Sequence, residues 1–228
     1  YSSVLVVLAI VFAAFNEKSY SNLSLEINRS EAISLSEKYL DQSGVKLSPD
    51  IWTCLSGVYT GSLDADDKFI WKEEGEEVYN SLIGDYLSNV IWNIRYVKFD
   101  GDVNDKTEEY AVLINPDGSL NQIRHKIPEN ESGARLKEKS ARNIAVNYLK
   151  NKFGLSEGDI QDVSSEISNL PNRDDWTFIF SDNATHLLKD GDLRIKINIS
   201  GDSVTSFKKY VYLPEEWERK EKNNATFA

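Results

Sequence analysis

Methionine is absent from the 228 residues, and cysteine occurs once, at Cys54. A single thiol excludes an internal disulfide framework and is read as a small buried hydrophobe, the usual setting of a free cysteine. Without Met, Tyr1 is no translation start, so the chain is expected to be a fragment of a longer protein. Histidine is scarce too. His125 and His186 are the two in the chain, and neither has another His, Cys or clustered carboxylate at ligand spacing, whereas zinc needs three or four donors. His125, within Arg124-His125-Lys126 on an expected strand, is read as a solvated or partly packed imidazole. The sequence contains no His-Glu-x-x-His, no Gly-x-Ser-x-Gly elbow, no phosphate-binding loop and no Gly-x-Gly-x-x-Gly. Pairing Cys54 with a histidine would have to join distant segments. Positive charge is also short: 26 Lys and Arg face 37 Asp and Glu, and the net charge of −11 repels nucleic acid and an anionic lipid surface.

Two acidic clusters remain. Glu73-Glu74-Gly75-Glu76-Glu77 is read as a solvated helix start, since acids in a first turn complement the helix dipole. Asp100-Gly101-Asp102-Val103-Asn104-Asp105 lacks the EF-hand spacing and its distal Glu, so it is read as a plain turn. No residue is therefore assigned a catalytic, cofactor-binding or metal-ligating role, and no cofactor is implied.

What the chain does have begins with an unbroken apolar run over 4–15, ended by Asn16-Glu17-Lys18. Twelve residues are too few to cross a bilayer, which takes about 20. With upstream sequence they complete a transmembrane helix or a signal-peptide core. Hydrophobic content of 40% with 11% aromatics is enough to build a core beyond this run.

Asn28-Arg29-Ser30-Glu31 has the form of a capping box, and Ala32, Leu35, Ser36, Tyr39 and Leu40 follow on one helical face. A strand is expected over 51–60 and a second helix over 76–87, where Val78, Leu82, Ile83, Tyr86 and Leu87 repeat at three and four. From Val90 to Phe99 the period changes to two, marking another strand. Strands at 110–114 and 121–127 flank Asn115-Pro116-Asp117-Gly118, in which Pro presets φ and Gly closes the turn. The second half repeats this plan. Ala141, Ile144, Ala145, Tyr148 and Leu149 match Ala32, Leu35, Ser36, Tyr39 and Leu40 in spacing, and Trp176-Thr177-Phe178-Ile179-Phe180 matches the strand around Trp92. Residues 193–199 lead through Gly201-Asp202 into 204–213, and both halves close on a Pro-Glu step, at Pro128-Glu129 and Pro214-Glu215. Helix, strands, hairpin and Pro-Glu in the same order read as a diverged tandem repeat. The expected fold is α+β: two tandem helix-plus-antiparallel-sheet units over 28–129 and 134–219, preceded by a transmembrane-like stub at 1–16 and followed by a juxtamembrane tail at 220–228. Glu129-Asn130-Glu131-Ser132-Gly133 is the expected linker.

Three segments, Trp92-Asn93-Ile94-Arg95-Tyr96, the hairpin leading into Lys126-Ile127-Pro128-Glu129, and Tyr210-Val211-Tyr212-Leu213-Pro214-Glu215-Glu216-Trp217-Glu218-Arg219, resemble the long extracytoplasmic insert of bacterial CPBP-family intramembrane proteases, relatives of the CAAX prenyl endopeptidases. The resemblance covers most of 30–219. It implies an insert that follows an early transmembrane helix, lies on the extracytoplasmic face of the membrane and ends just before a catalytic helical bundle, its first partner. It also implies proteolysis by a Glu-Glu-x-x-x-Arg motif and downstream histidines in that bundle. None of that apparatus is in this chain: Glu215-Glu216-Trp217-Glu218-Arg219-Lys220 carries Lys220 where Arg is required. On this reading the segment is non-catalytic and senses, gates or presents substrate, while Trp217 suits a membrane interface. The small helix-plus-sheet repeats are also similar to PepSY domains. That likeness implies a membrane-tethered or secreted module that binds a peptide or protein, with exposed sheet edges able to accept an added strand.

Overall fold

The structure, a computed structural model, describes residues 24–59, 65–87, 90–99 and 108–226. The apolar run at 4–15 and the acidic turn at 100–105 lie outside the described residues.

The first unit opens with helix α1 (Arg29–Gln42), followed by strands β1 (Trp52–Tyr59), β2 (Ile91–Lys98), β3 (Glu109–Ile114) and β4 (Leu120–Lys126). Helices α2 (Ala65–Glu73) and α3 (Glu76–Leu82) fall between β1 and β2. The second unit has helix α4 (Glu138–Phe153) and strands β5 (Ile160–Asn169), β6 (Asp174–Asp182), β7 (Asp192–Ser200) and β8 (Ser203–Tyr212), and helix α5 (Glu215–Thr226) closes the chain. Each unit is a four-stranded antiparallel sheet in sequential order, β1-β2-β3-β4 and β5-β6-β7-β8, with its own leading helix on one face. The chain is thus a mixed α+β protein of two tandem units.

The capping box sets the start of α1. Asn28 accepts hydrogen bonds from the Ser30 and Glu31 amides, and the Glu31 carboxylate accepts the Asn28 amide in return. Along α1 the buried residues are Ala32, Ser36 and Leu40; along α4 they are Ala141, Ala145 and Leu149. Small residues in the first two places let each helix approach its sheet closely. The repeat extends to side chains that the spacing alone does not pair. The Trp92 indole N–H donates to the Ile27 carbonyl at 3.2 Å, and the Trp176 indole to the Leu136 carbonyl at 3.0 Å, each the residue just before a helix N-cap. In the first unit the Ser36 and Tyr96 hydroxyls are hydrogen-bonded at 2.6 Å; in the second, Ala145 and Phe180 occupy the matching places and the pair is apolar. A buried hydroxyl needs a partner, so the two changes go together.

In the β3–β4 turn, Gly118 has φ +86°, a backbone conformation that favours glycine, and its N–H donates to the Asn115 carbonyl. The helix expected over 76–87 stops at Leu82. The chain then turns through Gly84, which sends Tyr86 and Leu87 back into the core. Residues 65–87 belong to the first unit in sequence, yet Phe69, Ile70, Leu82, Tyr86 and Leu87 pack in one buried cluster with Phe178, Phe180, Ile195 and Ile197 of the second sheet. Each such side chain, fully buried, is worth roughly 1.5–3 kcal/mol, so this excursion ties the units together.

Helix α5 docks on α2. Trp217, a residue type suited to a membrane interface, packs edge-on against Phe69 with ring centroids 5.2 Å apart and donates to Glu73 at 3.0 Å. Lys72 and Glu221 add an ion pair at 2.6 Å. Among the described residues no helix is long and apolar enough to cross a membrane.

Candidate functional site

The polypeptide between the units is clamped rather than loose. Arg173, its side chain 3% exposed, spends all five N–H donors. Nε and Nη2 hold the Asp175 carboxylate at 2.8 and 3.2 Å, Nη1 reaches the Pro128 and Glu131 carbonyls at 2.6 and 2.9 Å, and Nη2 reaches the Ile127 carbonyl at 3.3 Å. Gly133 lies against the stem of the same side chain; a Cβ there would come within 3.0 Å of Arg173 Cβ and Cδ. The expected linker is therefore a fixed strap, and edge strands β4 and β8 lie beside each other under it. The Phe207 amide on β8 donates to the buried Gln122 side chain on β4 at 3.3 Å.

Side chains alternate across a strand. Because Trp92, Ile94 and Tyr96 face α1, Asn93 and Arg95 must face the other way, joined across the ladder by Ala111 and Arg124. In the second unit Asn198, Ser200 and Ser206 occupy the corresponding open face. The two open faces border one groove of about 880 Å³, within the roughly 300–1,000 Å³ of sites that hold a compact ligand.

The electrostatics of the groove oppose those of the chain. Arg95, Arg124, Lys126 and Arg173 line it against Glu109, Glu129 and Asp175, while the molecule as a whole carries −11. Two of these acids are held by arginines of the groove. Arg95 grips Glu109 through Nε and Nη2 at 2.7 and 2.6 Å, which holds the Glu109 carboxyl below its ordinary pKa, and Asp175 belongs to Arg173. The Arg124 backbone pairs across the ladder with β3, but its guanidinium forms no hydrogen bond or ion pair among the described residues. Solvent reaches its side chain, but the surrounding walls desolvate the guanidinium and push its pKa below the ordinary value. Asn93 is 7% exposed, and its Oδ1 is buried without a hydrogen-bond partner. Facing it across the ladder is Gly57, beside which an added Cβ would meet nothing within 4 Å. Glycine inside a strand often marks a close approach by a ligand or another backbone. On the other wall, Asn198 accepts from Thr177 at 3.0 Å and donates to Ser206 at 2.8 Å, an uncharged polar surface.

The groups weighed in the sequence lie apart from one another. His125 stacks on Tyr110 at 3.9 Å and donates to Glu108 at 2.8 Å, a partly packed imidazole at the groove margin. His186 lies 3.9 Å from Glu74. Cys54 is exposed, which corrects its reading as a buried hydrophobe: it sits on edge strand β1, whose flank no further strand covers among the described residues. Partial desolvation still raises its thiol pKa, which keeps the thiolate scarce at neutral pH. The acidic cluster divides: Glu76 and Glu77 do lie in the first turn of α3, whereas Glu73 receives Trp217 and Glu74 receives the Lys189 amide at 2.7 Å. Among the described residues no three His, Cys, Asp or Glu side chains are placed to hold a metal ion. Sequence reading passed over Asn93 and Arg124 because polar residues alternating with apolar ones look like any solvated sheet face; Gly57 within a strand was the one local signal.

The chain matches no family model, no curated protein and no solved structure.

Proposed function

We propose that this chain is a non-catalytic binding module that holds a polypeptide segment in the groove between its two units. The observation that carries the reading is the groove itself, a fixed concavity with a guanidinium unpaired among the described residues on one wall, a buried amide oxygen without a partner, and the polar Asn198–Ser206 surface opposite. A buried polar atom left unpaired costs about 1–3 kcal/mol, and a bound backbone N–H removes that cost. The resemblance to the insert of CPBP-family intramembrane proteases, together with the apolar run at 4–15, supports an extracytoplasmic position beside a membrane bundle. There the module senses, gates or presents substrate for peptide-bond hydrolysis carried out elsewhere in the parent chain. Membrane-tethered binding of the PepSY kind is the second reading, favoured by the tandem helix-plus-sheet repeat.

The test is fluorescence anisotropy with a labelled pool of random decapeptides, using the full chain and two variants that fill the groove from the second sheet, Ser168→Trp and Ser206→Trp. Saturable binding that both variants abolish while thermal stability holds is the expected result. Binding that persists unchanged in both variants refutes the groove as the contact surface.

A further inference from the structure

Deepening that reading, on which it rests, we infer that the groove recognises the free C-terminal end of a peptide, with Arg124 taking the terminal carboxylate and Asn93 Oδ1 accepting a backbone N–H just upstream. The two groups ask for complementary things. Arg124 presents a guanidinium with five donors and, among the described residues, no paired anion, and planar fork geometry suits a carboxylate. Asn93 Oδ1 is an acceptor without a donor, in a residue 7% exposed. An isolated carboxylate supplies the anion but no donor for the amide oxygen, and an inorganic phosphate is too small to reach both groups. A peptide end supplies both on one backbone.

The spacing fits. Arg95, Ala111 and Arg124 lie in one row across β2, β3 and β4, and Asn93 is two residues along β2 from Arg95. With strands about 4.8 Å apart and about 3.3 Å per residue, the Asn93 and Arg124 Cα atoms are roughly 12 Å apart. The length of the arginine side chain shortens the gap between the functional groups to the span of the last two or three residues of an extended peptide. Ala111 sits between them and leaves the floor low. Of the acids that line the groove, Glu109 and Asp175 are each neutralised by their own arginine. Tyr59, 58% exposed on β1 and part of the groove lining, gives the preceding side chain an aromatic lip.

The experiment measures anisotropy of three N-terminally labelled tetrapeptide pools on the full chain: a free-acid pool lacking Asp and Glu, the same pool amidated at the C-terminus, and an amidated pool containing Asp and Glu. The free-acid pool is expected to bind at least tenfold more tightly than either amidated pool. Arg124→Gln is expected to lose that tenfold preference without a change in thermal stability, since the Arg124 guanidinium has no hydrogen bond or ion pair to lose among the described residues. Asn93→Leu is expected to weaken the free-acid pool at least tenfold while raising Tm, because it removes the unpaired amide into space left open by Gly57. Equal binding of free-acid and amidated pools overturns the inference yet leaves the groove as a polypeptide site. Preference for the amidated acidic pool overturns it in favour of an internal carboxylate. If no pool binds while decapeptides do, terminal recognition is refuted; if neither binds, the groove reading falls as well.

Discussion

Replacing Arg173 by methionine keeps most of the stem's apolar volume and deletes the guanidinium. The three carbonyls at Ile127, Pro128 and Glu131 then lose their donor, and the Asp175 carboxylate loses its bidentate partner. Breaking a buried ion pair from one side costs about 3–5 kcal/mol, because the remaining charge stays desolvated. Here the lower end applies, since the Asp175 side chain is 24% exposed and retains the Gly201 amide as a donor at 3.2 Å. A loss of ~3 kcal/mol lowers Tm by roughly 6–12 °C for a chain of this size, at about 2–4 °C per kcal/mol. Circular-dichroism melts of Arg173→Met check the figure. Arg173→Lys is expected to recover little, because one ammonium with three donors cannot span contacts that use all five of arginine's. The double variant Arg173→Met/Asp175→Leu should recover part of the loss by removing the stranded carboxylate. A melt of Arg173→Met within about 2 °C of the parent would refute the clamp, since it falls well below the shift expected from that loss.

Phe69→Ala removes a ring that is fully buried between α5 and the second sheet, and a loss of about 3–5 kcal/mol is expected. Tryptophan fluorescence and amide exchange in β6 and β7 should report it, although Phe69 lies in the first half of the chain; protection of those strands left intact would contradict the shared core. Acid should destabilise the protein through carboxylates whose folded pKa lies below the ordinary value, Glu109 through its arginine among them, along with Asp117 and Asp159 through their serine hydrogen bonds. Their contribution is complete above the ordinary carboxylate pKa and is lost as pH falls through the lowered folded values. Glu109→Gln should therefore flatten the decline of Tm between pH 5 and about pH 3, and an unchanged slope would remove the Arg95–Glu109 pair from that account.

The local features of the fold are legible in the sequence because they follow from short-range stereochemistry. A capping box at Asn28 and Glu31, a helical face repeated from Ala32 to Ala141, period-two strands around Trp92 and Trp176, and a Pro-Asp-Gly turn each need only a few adjacent residues, and the repetition of the set identified two tandem units. Strand β5 was not anticipated because it is an edge: Ile160 is its one buried residue, so its polar run has no alternation to read and it takes its shape from pairing with β6. The α2–α3 excursion had the same fate for another reason. A pattern of apolar residues states that a face will be buried but not which sheet will bury it, and only tertiary packing gave Phe69 and Leu87 to the second unit.

The candidate site was decided almost entirely by tertiary structure. Asn93, Arg124 and Asn198 come from three strands in two sheets and Arg173 from the turn just before β6, and nothing in their sequence neighbourhoods distinguishes them from ordinary solvent-facing polar residues. What singles them out is the meeting of β4 and β8, which brings two polar faces around one space, leaves one arginine with every donor used and another with none, and buries an amide oxygen away from any donor. Sequence determines which side of a strand a residue faces; only the packing of one unit on the other determines whether that side opens onto bulk water or onto a groove.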